Sequence, residues 1–275
     1  MNIMIEEKMD RLKKIIAQCG SAAVAFSGGV DSTLLARVCR ETIGDRVLLV
    51  TATSSTYPVS ELDEAKHLAA LLQLPQRVIV SEELDISGFA ENTPLRCYYC
   101  KKTLFSRIIA LAREEGFAAV FDGSNADDQG DYRPGRKAAR ELGIRSPLCE
   151  AGLTKTEIRE WSRRLGLPTA EKPSLACLAS RFPYGETITK EKLDRVGAVE
   201  KDLRAMGFSQ LRVRSHGDLA RVELTESEID AGWAKRKSIQ AACKNAGFTF
   251  VAIDTQGYRT GAMNEALEDK QRGTP

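Results

Sequence analysis

The stretch AAVAFSGGVDS, residues 22–32, decides the fold of this chain. Its first part, Ala22 to Phe26, is an unbroken apolar run, which predicts a short strand buried on both faces. The glycines that follow allow a tight turn and a close approach of backbone N–H groups to a ligand. Asp31 and Ser32 open the next apolar-periodic segment, so the loop leads onto the start of a helix. A helix start carries unpaired N–H donors and the positive end of the dipole, so the stretch predicts an anion site.

Five residues of the loop suggest which anion it binds: Ser27, Gly28, Gly29, Asp31 and Ser32. Their order resembles the SGGxDS loop of the N-type ATP pyrophosphatases, which split ATP into AMP and pyrophosphate. The loop does not match the Walker motif, because the lysine that reaches the β and γ phosphates is missing. The resemblance implies that the loop holds pyrophosphate while a substrate oxygen attacks the α-phosphorus. The alternative is a plain glycine turn between strand and helix.

Composition bounds the class of protein. At 275 residues the chain has room for two domains, and 43% hydrophobic with 28% charged residues is ordinary for a soluble protein. The net charge of +2, without a long basic run, disfavours a nucleic-acid partner. No apolar stretch approaches the length of a membrane span, and the acidic, amphipathic N-terminus is unlike a signal peptide. We therefore expect a cytoplasmic protein with no membrane partner.

The order of predicted elements indicates an α/β fold. Strand-like runs cover residues 22–26, 47–51, 77–80 and 118–121, and helical patterns cover residues 31–41, 59–72 and 101–115. Such alternation predicts a doubly wound, mainly parallel sheet with helices on both faces. Ligands bind at the carboxyl ends of the strands in such sheets. The SGGVDS loop and the segment that starts at Asp122 both fall at such ends.

The C-terminal part of the chain follows a different rhythm. Thr154 and Glu157 form a predicted capping box for a helix over residues 154–165, and the segment from 166 to 185 is irregular. After about residue 190 the pattern is helix, two strands, a helix over 226–245 and a last strand. This order predicts a small α+β domain. We place the domains at 1–188 and 189–275.

The seven cysteines are candidates for thiol chemistry rather than for disulfides. Cys97 and Cys100 form a CxxC pair just before a helical segment, where a helix start lowers thiol pKa values. Alone, the pair is half a zinc site, a redox pair, half a cluster site or two packed thiols. A closed zinc site would need another ligand such as Cys149. Cys177 lies in a proline-bounded loop near Arg181, and a cationic neighbour favours a reactive thiolate; the alternative is a small buried hydrophobe.

Four stretches together resemble the LarE family: SGGVDS, DGSNADD at 122–128, KPSLACLASRFPYG at 172–185 and DTQGYRTGAMN at 254–264. The resemblance implies an adenine nucleotide alpha hydrolase-like fold and an ATP-dependent sulfur transferase. Members adenylate a carboxylate of pyridinium-3,5-biscarboxylic acid mononucleotide and convert it to a thiocarboxylate. This reaction belongs to the biosynthesis of the nickel-pincer nucleotide cofactor of lactate racemase.

The family has two modes of sulfur delivery. Some members sacrifice the sulfur of one cysteine at the position of Cys177, whereas others hold a 4Fe–4S cluster with that cysteine and a CxxC pair. This chain has Cys97, Cys100 and Cys177, so it resembles the second type of member. Three thiolates leave one iron open, where exogenous sulfide can bind. The resemblance therefore implies sulfide or a sulfide donor, and other cofactor-assembly proteins, as partners.

Further residues are candidates for ligand contacts. Asp31 is a candidate Mg²⁺ ligand, or alternatively a helix N-cap. Thr53 and Ser54 follow the second strand and are expected beside the nucleotide. The other candidate contacts for nucleotide or substrate are Asn125, Asp128, Ser180, Arg181, Arg212 and Arg214. Asn125 and Asp128 have the alternative of a capped turn. Arg212 and Arg214 share one strand face and suit a phosphate, or alternatively a solvated face paired to Glu200 or Asp202.

Two rival functions remain open at the level of sequence. A tRNA thiolase also combines a pyrophosphate loop with a CxxC pair and a third cysteine, and would bind RNA with a steep salt dependence. A nucleotide-binding protein with structural zinc is the second rival. Whether the chain forms a homo-oligomer is open.

Overall fold

A computed structural model of the chain describes residues 3–130, 134–173, 176–259 and 261–266. Its contacts divide into two compact units. Unit 1 comprises residues 1–54, 58–82 and 97–172, and unit 2 comprises residues 55–57, 83–96 and 173–275. These units are defined by contacts within the folded chain. The predicted boundary between residues 188 and 189 separates domains that would fold independently, and it stays a prediction. Ser174, Leu175 and Thr260, which belong to the quoted motifs, lie outside the described residues.

Unit 1 contains a four-stranded parallel sheet, as predicted. Its strands lie in the order β3-β2-β1-β4, with β1 (Ala22–Ala25), β2 (Val47–Thr53), β3 (Gln76–Val80) and β4 (Ala119–Phe121). The central strand β1 pairs with β2 and β4, so that Val24 lies between Leu49 and Phe121. Alternate residues enter different cores: Val24 belongs to one hydrophobic cluster and Ala23 to the other. The expectation of a strand buried on both faces is confirmed.

The helices of unit 1 pack on both faces of this sheet. They are α1 (Ile3–Cys19), α2 (Val30–Ile43), α3 (Val59–Leu71), α4 (Arg96–Glu114), α5 (Pro134–Glu141), α6 (Pro147–Glu150) and α7 (Lys155–Arg164). Leu12 of α1 and Leu34 of α2 join the cluster of Val24, whereas Phe105 of α4 joins that of Ala23. Helices α1 and α4 therefore lie on opposite faces. Within the described residues, no helix combines the length and apolarity needed to cross a membrane.

Unit 2 has the predicted mixture of helices and strands. It contains α8 (Lys190–Ala205), β5 (Leu211–His216), β6 (Leu219–Leu224), α9 (Ile229–Ala234), α10 (Arg236–Asn245) and β7 (Phe250–Ile253). The sheet order is β5-β6-β7, with β5 antiparallel and β7 parallel to β6. The single helix predicted over 226–245 is wrong. The chain leaves helical geometry at Lys235, and Gly232 weakens α9 while it admits the side chain of Leu224.

Candidate nucleotide and sulfur-transfer site

The SGGVDS loop leaves the carboxyl end of β1 and enters α2. Gly28 has φ of +68°, a conformation that favours glycine. A Cβ added at Gly28 would lie 3.3 Å from the Cα of Ala65 in α3. The first glycine of the loop is therefore required twice, by its backbone angle and by the close approach of α3.

The serines of the loop organise the start of α2. Ser27 Oγ lies 3.2 Å from Ser32 Oγ and accepts a hydrogen bond from the Gly29 N–H at 3.3 Å. Ser32 Oγ donates to the Gly29 carbonyl at 3.2 Å. Gly29 is the N-cap residue and has no side chain to cap the helix. The first N–H groups of α2 lack intrahelical partners by geometry, so this end offers donors to an anion.

A second loop passes close to this helix start. A Cβ added at Gly123, which follows β4, would lie 3.2 Å from the backbone nitrogen of Ser32. Any larger residue at position 123 would crowd the donors that α2 presents. Gly123 belongs to the DGSNADD motif, but the sequence did not indicate that this position needs a glycine.

Asp31 contacts two residues far away in the chain. Its carboxylate forms an ion pair with Lys155 Nζ and accepts a hydrogen bond from Asn125 Nδ2 at 3.1 Å. The alternative role of Asp31 as the N-cap is wrong, because Gly29 occupies that position. Its role as a Mg²⁺ ligand stays a prediction.

The segment after β4 forms a capped turn that leads to α7. Asp128 accepts a hydrogen bond from the Asn125 N–H at 2.9 Å, and Asp127 accepts one from the Lys155 N–H at 2.8 Å. The predicted capping box of Thr154 and Glu157 is present at the start of α7. The turn thus brings Asn125 and Lys155 to Asp31. Binding of a ligand by Asn125 or Asp128 stays a prediction.

Two lysines from remote parts of unit 1 reach the loop, and sequence reasoning missed both. Lys155 pairs with Asp31, and Lys172 Nζ donates to the Gly28 carbonyl at 3.2 Å. Lys172 also pairs with Glu61 at 3.0 Å and Glu64 at 2.9 Å in α3. One signal was available for Lys155, because a lysine in the first turn of α7 opposes the helix dipole.

A hydrogen bond connects the end of β2 to the residue that follows β3. Thr53 is half-buried at the end of β2, and its carbonyl accepts a hydrogen bond from the Ser81 N–H at 2.9 Å. Ser54 follows directly and is also half-buried. Their contact with a nucleotide stays a prediction.

The CxxC pair begins α4. Cys97 is exposed and Cys100 is half-buried, and neither forms a disulfide. Their spacing of three residues places both thiols on one side of the first turn. Among the residues that the structure describes, no group of three or more His, Cys, Asp or Glu side chains lies close enough to hold a metal ion. This covers the zinc alternative of Cys97 and Cys100 with Cys149, whereas binding of a cluster by Cys97, Cys100 and Cys177, which lie in different units, stays a prediction.

Cys177 lies in unit 2 within a scaffold built from two short segments. Its neighbours Leu178 and Ala179 are held by the Thr56 carbonyl at 3.1 Å and by Arg96 Nη1 at 2.9 Å. Asn92, at φ of +52°, donates from Nδ2 to the Pro183 carbonyl at 2.6 Å. The segments 55–57 and 83–96 therefore fix the loop around the thiol, which the sequence did not indicate.

The electrostatic surroundings of Cys177 differ from the expectation. Burial raises the pKa of the thiol, and this outweighs the lowering by the Arg96 charge and by hydrogen bonds from Thr56 and Ala179. A reactive thiolate at Cys177 stays a prediction. Arg181 donates to the Cys177 carbonyl at 3.2 Å, while its charge is paired elsewhere.

Arg181 forms a buried ion pair. Its Nε and Nη2 each donate to Glu200 at 2.7 Å, and both side chains are 1% exposed. Glu200 also accepts from the Val213 N–H at 3.0 Å and pairs with Arg204 at 3.1 Å. Burial alone would raise the pKa of Glu200, but Arg181 and these further donors lower it. Arg181 Nη1 bonds Ser180 Oγ at 2.9 Å, so Ser180 belongs to the same network.

Arg212 and Arg214 are both buried, so the alternative of a solvated face is wrong. Arg214 pairs with Glu223 through two bonds of 2.9 Å and donates to the Ser180 carbonyl at 2.6 Å. The guanidinium of Arg212 lies 5.0 Å from the ring centre of Tyr258. Burial, with the nearby charge of Arg181, lowers the pKa of Arg212 to about 10. Phosphate binding by the two arginines stays a prediction.

The sheet and loop of unit 1 define a class of protein: an α/β enzyme that binds ATP with a pyrophosphate loop after its central strand. In agreement, residues 4–93 match the family described as NAD synthase. The chain is 40% identical to the pyridinium-3,5-bisthiocarboxylic acid mononucleotide synthase of Lactiplantibacillus plantarum. The alignment spans 252 residues, which is 91% of this chain and 91% of the synthase. At this identity and coverage, the chain belongs to the LarE family of ATP-dependent sulfur transferases.

Two further relatives frame this assignment. An uncharacterised protein of Synechocystis is 40% identical over 266 residues, which is 96% of this chain and 99% of that protein. The tRNA-specific 2-thiouridylase of Rhizobium etli is 28% identical over 214 residues, which is 62% of this chain and 52% of the thiouridylase. The likeness to a tRNA thiolase is therefore more distant and partial.

Proposed function

We propose that this protein adenylates a carboxylate of pyridinium-3,5-biscarboxylic acid mononucleotide and converts it to a thiocarboxylate, in nickel-pincer cofactor biosynthesis. The observation that carries this proposal is the 40% identity to the Lactiplantibacillus synthase across 91% of both chains. The geometry of the SGGVDS loop supports the ATP half of the reaction.

The chemistry requires activation before sulfur transfer. A carboxylate is a poor electrophile because hydroxide is a poor leaving group, whereas AMP leaves readily from an acyl adenylate. The substrate carboxylate attacks the α-phosphorus of ATP, and pyrophosphate departs. Gly29, Ser27 and Ser32 hold the leaving pyrophosphate at the start of α2, and Lys172 fixes the Gly28 carbonyl. A sulfur nucleophile then displaces AMP.

Magnesium and an iron–sulfur cluster complete the proposal. Asp31 would hold Mg²⁺, which neutralises polyphosphate charge, and its carboxylate oxygens suit that ion. Cys97, Cys100 and Cys177 would hold a 4Fe–4S cluster: none of them is in a disulfide, and thiolates are the ligands that such clusters use. The cluster would supply an open iron where sulfide binds.

The arginines of unit 2 would bind the anionic substrate. Arg181, Arg212 and Arg214 are buried in unit 2, where Arg181 pairs with Glu200 and Arg214 with Glu223. Guanidinium groups form strong, bidentate hydrogen bonds with phosphate, which supports a phosphate contact by Arg212 and Arg214. Ser180 joins Arg181 and Arg214 through its hydroxyl and carbonyl, and would position the substrate near Cys177.

The cellular setting is also a proposal. The protein would act in the cytoplasm, take sulfide or accept it from a donor, and exchange substrate and product with other cofactor-assembly proteins. The absence of a long basic run supports a small-molecule substrate over RNA.

Anaerobic reconstitution with iron and sulfide tests the function directly. We expect pyrophosphate release that depends on the biscarboxylic mononucleotide, and a product heavier by the exchange of oxygen for sulfur. The triple variant of Cys97, Cys100 and Cys177 to serine should lose iron, whereas Cys243→Ser should keep it. Pyrophosphate release with tRNA and not with the mononucleotide would favour the thiolase. Loss of one sulfur atom from Cys177 after turnover would show sacrificial delivery instead of a cluster.

A further inference from the structure

Several basic side chains lie on two helices that pack together, α4 and α5. Lys101 and Lys102 lie on α4, and Arg136, Lys137 and Arg140 lie on α5; we call these residues the α4–α5 cationic surface. Lys102, Lys137 and Arg140 are exposed, and the other two are half-buried. All five belong to unit 1. These five positive charges outnumber the one negative charge of Glu141 on α5, so the surface is net positive.

Close packing of the two helices creates this surface. A Cβ added at Gly135 would lie 2.9 Å from Lys101 Cγ and 3.4 Å from the Cys97 carbonyl. The first turn of α5 therefore lies against the first turn of α4. As a result, Lys102 Nζ lies 5.5 Å and Lys137 Nζ 6.0 Å from the ring centre of Tyr98.

This arrangement does not favour the stability of the helices. Cations in the first turn of a helix oppose the macrodipole, and Arg136 and Lys137 lie in the first turn of α5, which has no acidic residue there. Lys102 and Lys137 also share one aromatic ring, which brings like charges together. Glu141 contacts the cluster by accepting a hydrogen bond from Tyr98 at 2.6 Å. An anionic ligand would relieve the repulsion, so the surface suits an incoming anion.

The anion would meet a thiol. Cys97 is exposed, and its own carbonyl lies at the contact with Gly135. We propose that the α4–α5 cationic surface collects hydrosulfide, HS⁻, and directs it to Cys97 and Cys100. Near neutral pH a large share of dissolved sulfide is this anion, and a patch of one sign raises both the local concentration and the on-rate of a counter-ion. The inference rests on the proposed function for the use of sulfide.

The test compares charged and neutral thiol reagents on the cluster-free protein. Cys97 is treated with anionic 5,5′-dithiobis(2-nitrobenzoate) or neutral 2,2′-dipyridyl disulfide, and its modification is followed by peptide mass spectrometry. The rate constant for the anionic reagent is divided by that for the neutral reagent. Both reactions need the thiolate, so its fraction cancels, and the ratio reports the electrostatic potential at Cys97. We expect Lys102→Gln/Lys137→Gln to lower this ratio about fivefold at low salt, with the difference shrinking as salt screens the charges.

Lys13→Gln/Lys14→Gln is the matched control. These exposed lysines lie on α1, on the opposite face of the sheet, and removing them takes away the same charge. The control should leave the ratio unchanged. Lys137→Glu, a charge reversal at one exposed position, should lower the ratio as the double variant does.

The outcomes separate this inference from the proposed function. An unchanged ratio in Lys102→Gln/Lys137→Gln and in Lys137→Glu would overturn the inference, even if the enzyme transfers sulfur. So would weaker tRNA binding by these variants with no change in the ratio. In the reconstituted enzyme, a fall in kcat/KM for sulfide at low salt would support it. If the ratio falls but the enzyme never uses sulfide, the α4–α5 cationic surface attracts anions and only the proposed use of sulfide is wrong.

Discussion

The SGGVDS loop of unit 1 and the arginine cluster of unit 2 arrange their polar and charged groups in opposite ways. The loop uses six consecutive residues, glycine backbone angles and the N–H groups of one helix start. The cluster brings Arg181 to Glu200 and Arg214 to Glu223 from different elements and buries all four side chains. One site is built from local backbone and the other from long-range pairing.

This difference has energetic consequences. Backbone donors at a helix start are already polarised and cost nothing extra to keep unpaired while they are solvated. Buried guanidinium and carboxylate groups lose their hydration, so each depends on its partner. The loop should therefore be fragile to changes in backbone shape, and the cluster to the loss of one charge.

The largest effect should come from breaking the buried pair. Glu200→Ala leaves Arg181 buried without its carboxylate, and we expect a loss of about 3–5 kcal/mol in the free energy of unfolding of unit 2. Urea unfolding measures it. Trp161 lies in unit 1 and Trp233 in unit 2, so fluorotryptophan NMR follows each unit separately.

An exposed ion pair supplies the control for this experiment. Arg163 and Glu171 pair at 2.8 Å with both side chains largely exposed. Glu171→Ala should change stability by less than about 1 kcal/mol. If Glu200→Ala costs no more than Glu171→Ala, the cluster does not depend on pairing.

The next effect concerns the backbone of the loop. Gly28→Ala places a Cβ at φ of +68° and 3.3 Å from Ala65. We expect a cost of about 1–2 kcal/mol from backbone strain alone, and a fall in kcat/KM for ATP of at least tenfold because the loop must shift. ATP-dependent pyrophosphate release measures this fall.

Gly44 separates strain from crowding. It has φ of +63°, and a Cβ there meets no atom within 4 Å. Gly44→Ala should lose similar stability and keep its kcat/KM for ATP. Equal activity of the two variants would show that the approach of α3 to the loop is unimportant.

Helix caps give a smaller effect. Thr154 accepts from the Glu157 N–H and takes part in a full capping box at the start of α7, whereas Thr189 accepts from the Lys192 N–H at 3.4 Å without a capping box. Thr154→Ala should cost about 1 kcal/mol, and Thr189→Ala less. Thermal or urea unfolding of the two variants compares the caps directly. The reverse order would mean that tertiary contacts, not caps, hold these helices.

The last prediction concerns the loss of stability of unit 2 in acid, which has the smallest effect near neutral pH. Arg181 and the other donors hold the pKa of Glu200 below its ordinary value of 4.5 in the folded state. The stabilisation is therefore complete above that ordinary value and is lost as pH falls through the lower, folded pKa. Unfolding of unit 2 between pH 7 and pH 3 should show this loss in the wild type. Glu200→Gln should flatten this part of the curve, and an unchanged slope would contradict the assignment.

The sequence by itself determined the alternation of strands and helices in unit 1, the loop after β1 and the capping box of α7. These features depend on local properties: apolar periodicity, glycine backbone freedom and side chains within three residues of each other. The break at Lys235 escaped prediction because the periodicity continues across it.

Only the tertiary structure decided which charges meet. Lys155 pairs with Asp31 across 124 residues, the charge of Arg96 lowers the pKa of the Cys177 thiol, and Arg214 pairs with Glu223 in the next strand. Such partners depend on strand register and on loop packing, which the chain sets only when its cores form. Sequence patterns show which residues carry charge, but burial and pairing arise from contacts between segments that are distant along the chain.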